Sequence, residues 1–172
     1  VVFSDAASGP TSNIQIGGTT AGAGNRIASN NGSGVLVVVD PGGTTTTGTR
    51  ILGNEVYSNA ALGIDLGGGG VTPNDPLDAD LGPNHLQNFP VLTSAYVGST
   101  ILSGTLTSAP NQLYTLEFFR NPVGTPLVGA EGQTVVGRTA VVTDNTGTAT
   151  FTVAYANTVT VGEVITATAT DQ

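Results

Sequence analysis

The sequence lacks residue types that most proteins use. Over 172 residues it contains no Cys, Met or Trp, and its four cationic side chains are all Arg. Without Cys no disulfide can form, which leaves the redox compartment open because bacterial surface proteins and cytosolic proteins both manage without disulfides. Strong helix formers are scarce, whereas Val, Ile, Thr and 25 Gly dominate the chain. This composition disfavours helices and favours strands punctuated by turns.

Charge is equally scarce, and it has one prevailing sign. Only 9% of the residues are charged, the net charge is −8 and the pI is about 4.1. The four cations, Arg26, Arg50, Arg120 and Arg138, are scattered along the chain. This pattern offers no electrostatic footprint for nucleic acid or anionic lipid. No apolar run approaches the ~20 residues that a membrane helix needs, so we expect neither nucleic-acid binding nor membrane insertion.

An internal repeat occupies the first half of the chain. The segments Gly24–Val37 (GNRIASNNGSGVLV) and Gly53–Leu66 (GNEVYSNAALGIDL) share Gly, Asn and Ser at matched positions, 29 residues apart. Their apolar positions also match: Ile27 with Val56, Val35 with Ile64, and Val37 with Leu66. A repeat built of short strands predicts a solenoid, in which Asn at equivalent corners can stack into ladders and can adopt the left-handed conformation. The alternative is two unrelated hairpins that share Gly and Asn.

Two further segments extend this interpretation. An earlier partial copy begins at Asn13, where Ile14 and Ile16 alternate before a Gly-rich turn. The Gly- and Thr-rich segment 40–48 (DPGGTTTTG) is predicted to be an inserted loop that lengthens one coil.

From residue 93 the pattern changes to longer alternating strands. They are predicted at 100–107, 113–119, 134–143, 148–155 and 163–170, with a break expected at Gly137. Specific turn residues separate them, and the last of these turns, Asp144–Gly147, predicts a hairpin. Several strands at this spacing predict a small antiparallel sandwich.

A Gly- and Pro-rich segment without Lys or Arg joins the two halves. It carries four Asp and two Asn that we predict as metal ligands: Asp65, Asn74, Asp75, Asp78, Asp80 and Asn84. Carboxylates this close repel one another, and a hard cation relieves that repulsion. Calcium is the candidate cofactor because it accepts six to eight oxygen ligands in flexible geometry. The alternative is a solvated loop in which Asp serves as a turn former. Acid–base catalysis by paired carboxylates is disfavoured, since nothing apolar nearby would raise one pKa.

Together these motifs resemble a known class of protein. The two repeats, the segment GVTPNDPLDADLGPN-x-LQNFPVL, the segment SGTL-x-SAPN-x-x-Y-x-LEFF and the closing VITATATD are similar to large bacterial surface and secreted proteins. Those proteins carry right-handed parallel β-helix repeats followed by an immunoglobulin-like sandwich. The resemblance implies an all-β chain with a short β-helix segment at 1–66, an acidic junction loop at 67–92 and an Ig-like β-sandwich at 93–172. It also implies an extracellular or cell-surface location. One departure is Gly67–Gly70, where the relatives have Asn-Asp.

The residues give little support to catalysis. His85 is the single histidine, and no G-x-S-x-G elbow supplies a nucleophile. A calcium-dependent polysaccharide lyase needs a basic residue beside the sugar, and Arg26 and Arg50 are the only cations in the coil region. Glycan binding without catalysis, as in an adhesin, is an alternative, with Tyr57, Tyr96, Tyr114 and Tyr155 as the candidate stacking residues.

The end of the predicted solenoid suggests how such a chain is used. No polar cap precedes the repeats, and the apolar residues Val1, Val2 and Phe3 belong to a preceding coil, to the sandwich or to a neighbouring molecule. We therefore expect a non-enzymatic extracellular structural protein, a homo-oligomer that assembles head-to-tail into an open filament through strand or coil-end pairing, with calcium stiffening the junction.

Overall fold

The protein is an all-β chain, as the composition predicts. The computed structural model describes residues 2–4, 12–39, 46–98, 100–126, 129, 131–156 and 159–172, with the backbone alone given for 2–4. Across these ranges it contains thirteen strands and two short 3₁₀ turns, Pro76–Asp78 and Pro83–Leu86. Within the same ranges, no helix has the length and apolar character needed to cross a bilayer.

The first half consists of short strands that pair in parallel. These strands are β1 (Val2–Ser4), β2 (Gln15–Gly17), β3 (Arg26–Ala28), β4 (Val35–Val39), β5 (Arg50–Leu52), β6 (Glu55–Tyr57) and β7 (Ile64–Leu66). They form three parallel sheets with the orders β1-β4-β7, β2-β5 and β3-β6. The predicted alignment of the repeat is confirmed pair by pair, because Ile27 lies opposite Val56, Val35 opposite Ile64, and Val37 opposite Leu66.

Apolar side chains from these strands form a small core. Val35, Val37 and Ile51 are buried, and four partly buried residues pack around them: Ile16, Ile27, Ile64 and Leu66. Equivalent apolar residues of the two repeats therefore lie next to each other in this core, as a repeat of this kind requires.

The predicted Asn ladders are also present. The Asn25 side-chain amide donates to Asn54 Oδ1 at 2.9 Å, and that of Asn30 donates to Asn59 Oδ1 at 2.7 Å. The residues in the left-handed conformation are Ser29 (φ 59°) and Ser58 (φ 54°), and not the ladder Asn next to them. The repeated Asn residues therefore act through their side-chain hydrogen bonds, and the adjacent Ser adopts the left-handed conformation at the turn.

The loop predicted at 40–48 falls mostly outside the described residues, which leave out 40–45. Val2 pairs with Val37 and Gln15 with Arg50, so the segments that lead to β2 and to β5 have equal lengths. The connection from β2 to β3 runs through the Gly-rich segment 18–24, whereas β5 and β6 are joined by a tight corner at Gly53 and Asn54.

The second half is a pair of antiparallel sheets. Its strands are β8 (Val91–Tyr96), β9 (Ile101–Thr107), β10 (Leu113–Asn121), β11 (Thr134–Val142), β12 (Thr148–Ala154) and β13 (Val164–Asp171). The sheets have the orders β11-β10-β13 and β12-β9-β8. Between them lies a core that contains Leu102, Leu106, Tyr114, Leu116, Phe118 and Phe151. Alternation of buried and exposed residues along β9 and β12 supplies one apolar face to each strand.

The prediction of a hairpin at Asp144–Gly147 is wrong, because the two flanking strands do not pair with each other. The turn itself forms, since Asp144 Oδ1 accepts hydrogen bonds from the backbone N–H groups of Thr146 and Thr148. The flanking strands nevertheless belong to different sheets, because β11 pairs with β10 and β12 pairs with β9. The turn is a corner that carries the chain from one sheet to the other.

Close stacking of the corners makes one repeat glycine sensitive to substitution. A Cβ at Gly24 would overlap the carbonyl oxygen of Gly53 in the next layer, whereas a Cβ at Gly32 would meet nothing within 4 Å. We expect Gly24→Ala to destabilise the fold by about 1–3 kcal/mol through overpacking, measured as a lower Tm and an earlier urea midpoint. Gly32→Ala is the matched control and should leave both values nearly unchanged. Equal effects of the two substitutions would contradict the stacked arrangement.

Candidate functional site

Three carboxylates converge in the junction segment. Asp75, Asp78 and Asp80 each contribute one oxygen to a group in which all three atoms lie within 4.8 Å of one another. The turn at Pro76–Asp78 produces this convergence, because Leu77 (φ 64°) and Asp78 (φ 55°) adopt the left-handed conformation and fold the chain back on itself. We refer to these three residues as the acidic cluster.

Asn88 fixes the cluster to the rest of the molecule. This buried side chain accepts the Asp75 N–H at 3.0 Å and donates to the carbonyls of Asp75 and Thr107, both at 2.8 Å. The backbone N–H of Asn88 donates to Asp78 Oδ1 at 2.9 Å. One amide residue thus ties both arms of the loop to the end of β9.

A second attachment runs through Ser108. Its hydroxyl oxygen lies 2.6 Å from Asp78 Oδ2 and 2.8 Å from the Tyr114 hydroxyl. Tyr114 is buried in the sandwich core, and burial raises the pKa of its hydroxyl. Asp78 is therefore anchored on both oxygens, through the Asn88 backbone and through Ser108.

The electrostatics of the acidic cluster favour a proton or a cation. Burial raises the pKa of Asp78, and hydrogen bonds from Ser108 and Asn88 oppose this effect only in part. The pKa of Asp80 is raised first by burial and then by the neighbouring charges of Asp75 and Asp78. Asp75 Oδ1 and Asp80 Oδ1 are buried atoms without a hydrogen-bond partner among the described residues. Carboxylate oxygens gathered in this way match the ligand chemistry of calcium.

The other predicted ligands make hydrogen bonds to the backbone. Asp65 is buried in β7 and accepts the Gly68 N–H at 3.1 Å. The Asn74 side chain pairs with the backbone of Phe89, donating to its carbonyl and accepting its N–H. Asn84 makes the same type of pair with the backbone of Thr49. The structure thus gathers three of the four predicted Asp, while both predicted Asn side chains are engaged by backbone groups.

Two glutamates that the sequence did not single out link the parallel-strand half of the chain, β1 to β7, to the antiparallel half. Glu131 accepts hydrogen bonds from the backbone N–H of Asn59 at 3.0 Å and from its side-chain amide at 2.6 Å. Glu117, only 1% exposed, accepts the Gly53 N–H at 2.8 Å and forms an ion pair with Arg138 at 3.2 Å. Both glutamates belong to the antiparallel half, and Glu131 accepts from Asn59 the same two donors, backbone N–H and side-chain amide, that Asn54 accepts from Asn25. For Glu117, the signal in the sequence was an acidic residue within the otherwise uncharged run LEFF.

The aromatic residues do not assemble a sugar platform in the described part of the chain. Tyr114 is buried in the sandwich core, and the Arg26 guanidinium lies 5.1 Å from the centre of the Tyr57 ring. Tyr155 packs against Phe118, with ring centres 5.9 Å apart. Tyr96 remains exposed at the end of β8.

Comparison with protein families and with curated proteins gives no match to this chain.

The raised pKa values of Asp78 and Asp80 predict an unusual pH dependence. A carboxyl group whose pKa is higher in the folded state stabilises the fold below its unfolded pKa, and this stability is lost as pH rises through the folded pKa. In chelated buffer we expect Tm to rise as pH falls from 7 towards about 4, close to the unfolded value of Asp. Asp80→Asn should flatten this slope and raise Tm at pH 7, because it removes one of three like charges.

Differential scanning calorimetry between pH 4 and 7 measures this effect. Glu55→Gln is the control, since it removes an exposed carboxylate outside the acidic cluster. An Asp80→Asn variant with the wild-type slope would show that the acidic cluster carries no net repulsion.

Proposed function

We propose that the protein is a non-enzymatic structural module that self-associates through the open edge of its coil stack. One observation carries the proposal: β2 and β3 each pair with one strand, β5 and β6, and have no strand partner on the other edge within the described residues. Their inward-facing residues, Ile16 and Ile27, are accordingly only half-buried. An unpaired strand edge beside an incompletely covered apolar core favours the addition of further strands.

The finer fold belongs to this proposal. We infer that the first half is a short right-handed parallel β-helix and that the second is an Ig-like sandwich. Three strands per layer, returning in the order β1, β2, β3 and then β4, β5, β6, support the β-helix. Two antiparallel three-stranded sheets around one core support the sandwich.

The open edge has a definite hydrogen-bonding character. The Asn25 carbonyl accepts from β6, and the Ser29 N–H donates to β6. Because backbone groups alternate in direction along a strand, the N–H and C=O groups of Arg26 and Ala28 point away from β6. The side-chain oxygens of Asn25 and Asn30, which occupy the acceptor position of the ladders, have no donor among the described residues. A partner at this edge must supply backbone hydrogen bonds and amide donors.

The opposite end of the stack is covered, which restricts the geometry of assembly. Asn84 pairs with Thr49, Gly132 with Val56, and Glu131 with Asn59. In a head-to-tail filament, the surface that meets the open edge is therefore on the sandwich of a second copy. It is an uncharged edge strand, β8 or β12. Such a heterologous contact generates an open filament when the rotation between copies does not close a ring. Val2–Ser4, the candidate donor strand, pairs with β4 of its own chain and would have to be released to act in this way.

Removing one backbone donor at the open edge tests self-association. Ala28→Pro eliminates an outward N–H without touching the β6 ladder, and proline is tolerated at an edge position. We expect wild-type protein at high concentration to form extended particles in sedimentation velocity and electron microscopy, and Ala28→Pro to remain monomeric with a Tm close to wild type.

Ala28→Ser is the matched control because it keeps the N–H and should assemble like wild type. A wild-type chain that stays monomeric at millimolar concentration, with calcium present, rejects the filament. Assembly of Ala28→Pro to the wild-type extent would show that another surface carries the contact.

We also propose that the acidic cluster binds calcium. The support is the convergence of three carboxylates, two of which hold buried oxygens without a partner in the described part of the chain. Backbone carbonyls and water would complete the coordination of an ion held by Asp75, Asp78 and Asp80. The ion would neutralise the local repulsion and hold the junction loop in its folded-back conformation.

Calcium should therefore raise thermal stability, because a ligand that binds only the folded state stabilises it by mass action, about 2.7 kcal/mol at 100 times Kd. We expect Tm to be several degrees higher in calcium than in chelator, and Asp80→Asn to abolish most of the difference. Asp171→Asn, which removes an acid outside the cluster, should preserve it. Identical wild-type melts with and without calcium would refute the site.

Location at the bacterial cell surface follows from the family resemblance and is part of the same proposal. The proposal that the chain is not a lyase is supported at two of the four cations, since Arg138 pairs with Glu117 and Arg26 lies over Tyr57. A lyase needs a free base beside its substrate.

A further inference from the structure

The bend between β3 and β4 carries the only Asn-Gly pair of the sequence, Asn31-Gly32. Both residues are exposed. A Cβ at Gly32 would meet nothing within 4 Å, so the space beside its backbone is open. Neither the calcium site nor the strand pairing proposed above uses the Asn31 side chain, which leaves its chemistry to be explained.

The second repeat shows that the bend forms without this amide. At the offset of 29 residues, Asn31 corresponds to Ala60 and Gly32 to Ala61. The two bends are joined through their backbones, because the Ala60 N–H donates to the Asn30 carbonyl at 2.9 Å. The Ala61 N–H likewise donates to the Gly32 carbonyl at 3.3 Å. Since Ala occupies both equivalent positions, the bend requires neither the Asn31 side chain nor a glycine after it.

Asn31 also differs from the neighbouring Asn30 in its contacts. The side-chain amide and the backbone N–H of Asn30 both donate to Asn59 Oδ1, at 2.7 and 3.2 Å. Among the described residues, neither the Asn31 side chain nor the Gly32 N–H has a hydrogen-bond partner. The side-chain carbonyl carbon of Asn31 and the backbone nitrogen that follows it are therefore unrestrained by hydrogen bonds within the described chain.

Other Asn residues lack this combination. The side chains of Asn54, Asn84 and Asn88 are held by hydrogen bonds to backbone carbonyls. At Asn111 and Asn145 the backbone N–H of the following residue is itself bonded to a side-chain oxygen. The Asn-Gly bend thus presents an unheld amide beside an unpaired backbone nitrogen that no Cβ shields.

We propose that Asn31-Gly32 is a site of spontaneous covalent modification, in which the Gly32 backbone nitrogen attacks Cγ of the Asn31 side chain. A C–N bond forms and closes a five-membered imide. The Cγ–Nδ2 bond breaks, and Nδ2 leaves as ammonia with the proton that the Gly32 nitrogen gave up to solvent. Water then opens the ring at one of its two carbonyls. The product is a side-chain carboxylate in the normal linkage, or an isoaspartyl linkage in which the backbone runs through the side-chain carbons.

The modification changes the surface at one end of the Asn ladder. It adds one negative charge to a chain whose net charge is −8. The charge lies next to Asn30, whose side-chain oxygen has no donor among the described residues. The isoaspartyl form also inserts one carbon into the backbone of the bend, which displaces the Gly32 carbonyl from the Ala61 N–H. The reaction is intramolecular and does not depend on the self-association proposed above.

Mass spectrometry of the full chain, incubated folded and dilute at 37 °C, tests the proposal. After denaturation, trypsin cleavage at Arg26 and Arg50 releases a peptide in which Asn30 and Asn31 are the only side-chain amides. We expect this peptide to gain about 1 Da at Asn31, as an amide becomes an acid, with part of the product in the isoaspartyl linkage. The rate should rise about tenfold from pH 7 to pH 8, because the attacking nitrogen reacts in its deprotonated form.

Variants separate this site from general amide loss. Gly32→Ala should slow the mass gain at least about tenfold, because its Cβ restricts the backbone and obstructs the nitrogen, and Asn31→Ala should abolish it. Ser33→Ala keeps the Asn-Gly pair and is the matched control, with the wild-type rate expected. Circular dichroism melts check that each variant is folded.

Three results would overturn the proposal. They are a folded chain that keeps its mass, a mass gain located at Asn30, and an equal rate in Gly32→Ala. A chain that gains mass in urea but not when folded would show that the bend holds the two atoms apart. Because the reaction is followed in dilute monomer, none of these results bears on the filament, which Ala28→Pro tests separately.

Discussion

The Asn side-chain amides of the first repeat need acceptors in the second repeat, and the rest of the architecture depends on this requirement. Asn25 and Asn30 find their acceptors in Asn54 and Asn59. The donors of Asn59 then need an acceptor of their own, and Glu131 supplies it from the sandwich. A hydrogen bond to a charged group contributes about 1.5–3 kcal/mol to stability. The contact between Asn59 and Glu131 therefore holds the sandwich against the end of the repeat.

The same contacts explain how the two halves hold each other in place. Glu117 is a buried carboxylate at the interface, and burying a charge is tolerable only when it is paired and hydrogen-bonded. It obtains its partners from both halves, Gly53 N–H from the stack and Arg138 from the sandwich, and Arg138 in turn donates to the Thr19 carbonyl. Separation of the halves would leave donors and a carboxylate unsatisfied. The interface is therefore fixed independently of the acidic cluster, and a bound ion would act locally on the loop.

Sequence reasoning succeeded where the structure depends on local repetition. The offset between Gly24 and Gly53 predicted the register of β3 with β6 and of β4 with β7, because matched layers bury matched residues. It failed where a strand pairs with another strand that is distant in sequence. The Asp144–Gly147 turn has hairpin chemistry, yet the pairing of its flanking strands is decided by β9 and β10, which are distant in sequence. The engagement of two predicted ligands elsewhere was missed for a similar reason, since nothing local reveals that Asn74 and Asn84 bond to the backbones of Phe89 and Thr49.

The ladders also give the stack a direction. In each rung, the earlier layer donates its N–H and side-chain amide and the later layer accepts through a side-chain oxygen. At the sandwich end the Asn59 donors are satisfied by the Glu131 carboxylate, whereas the side-chain oxygens of Asn25 and Asn30 have no donor among the described residues. In the proposed assembly, two such edges brought together would place acceptors against acceptors, so a symmetric pairing is disfavoured. A strand that joins this edge in the proposed assembly must bring amide donors, which favours a directional contact over a closed dimer.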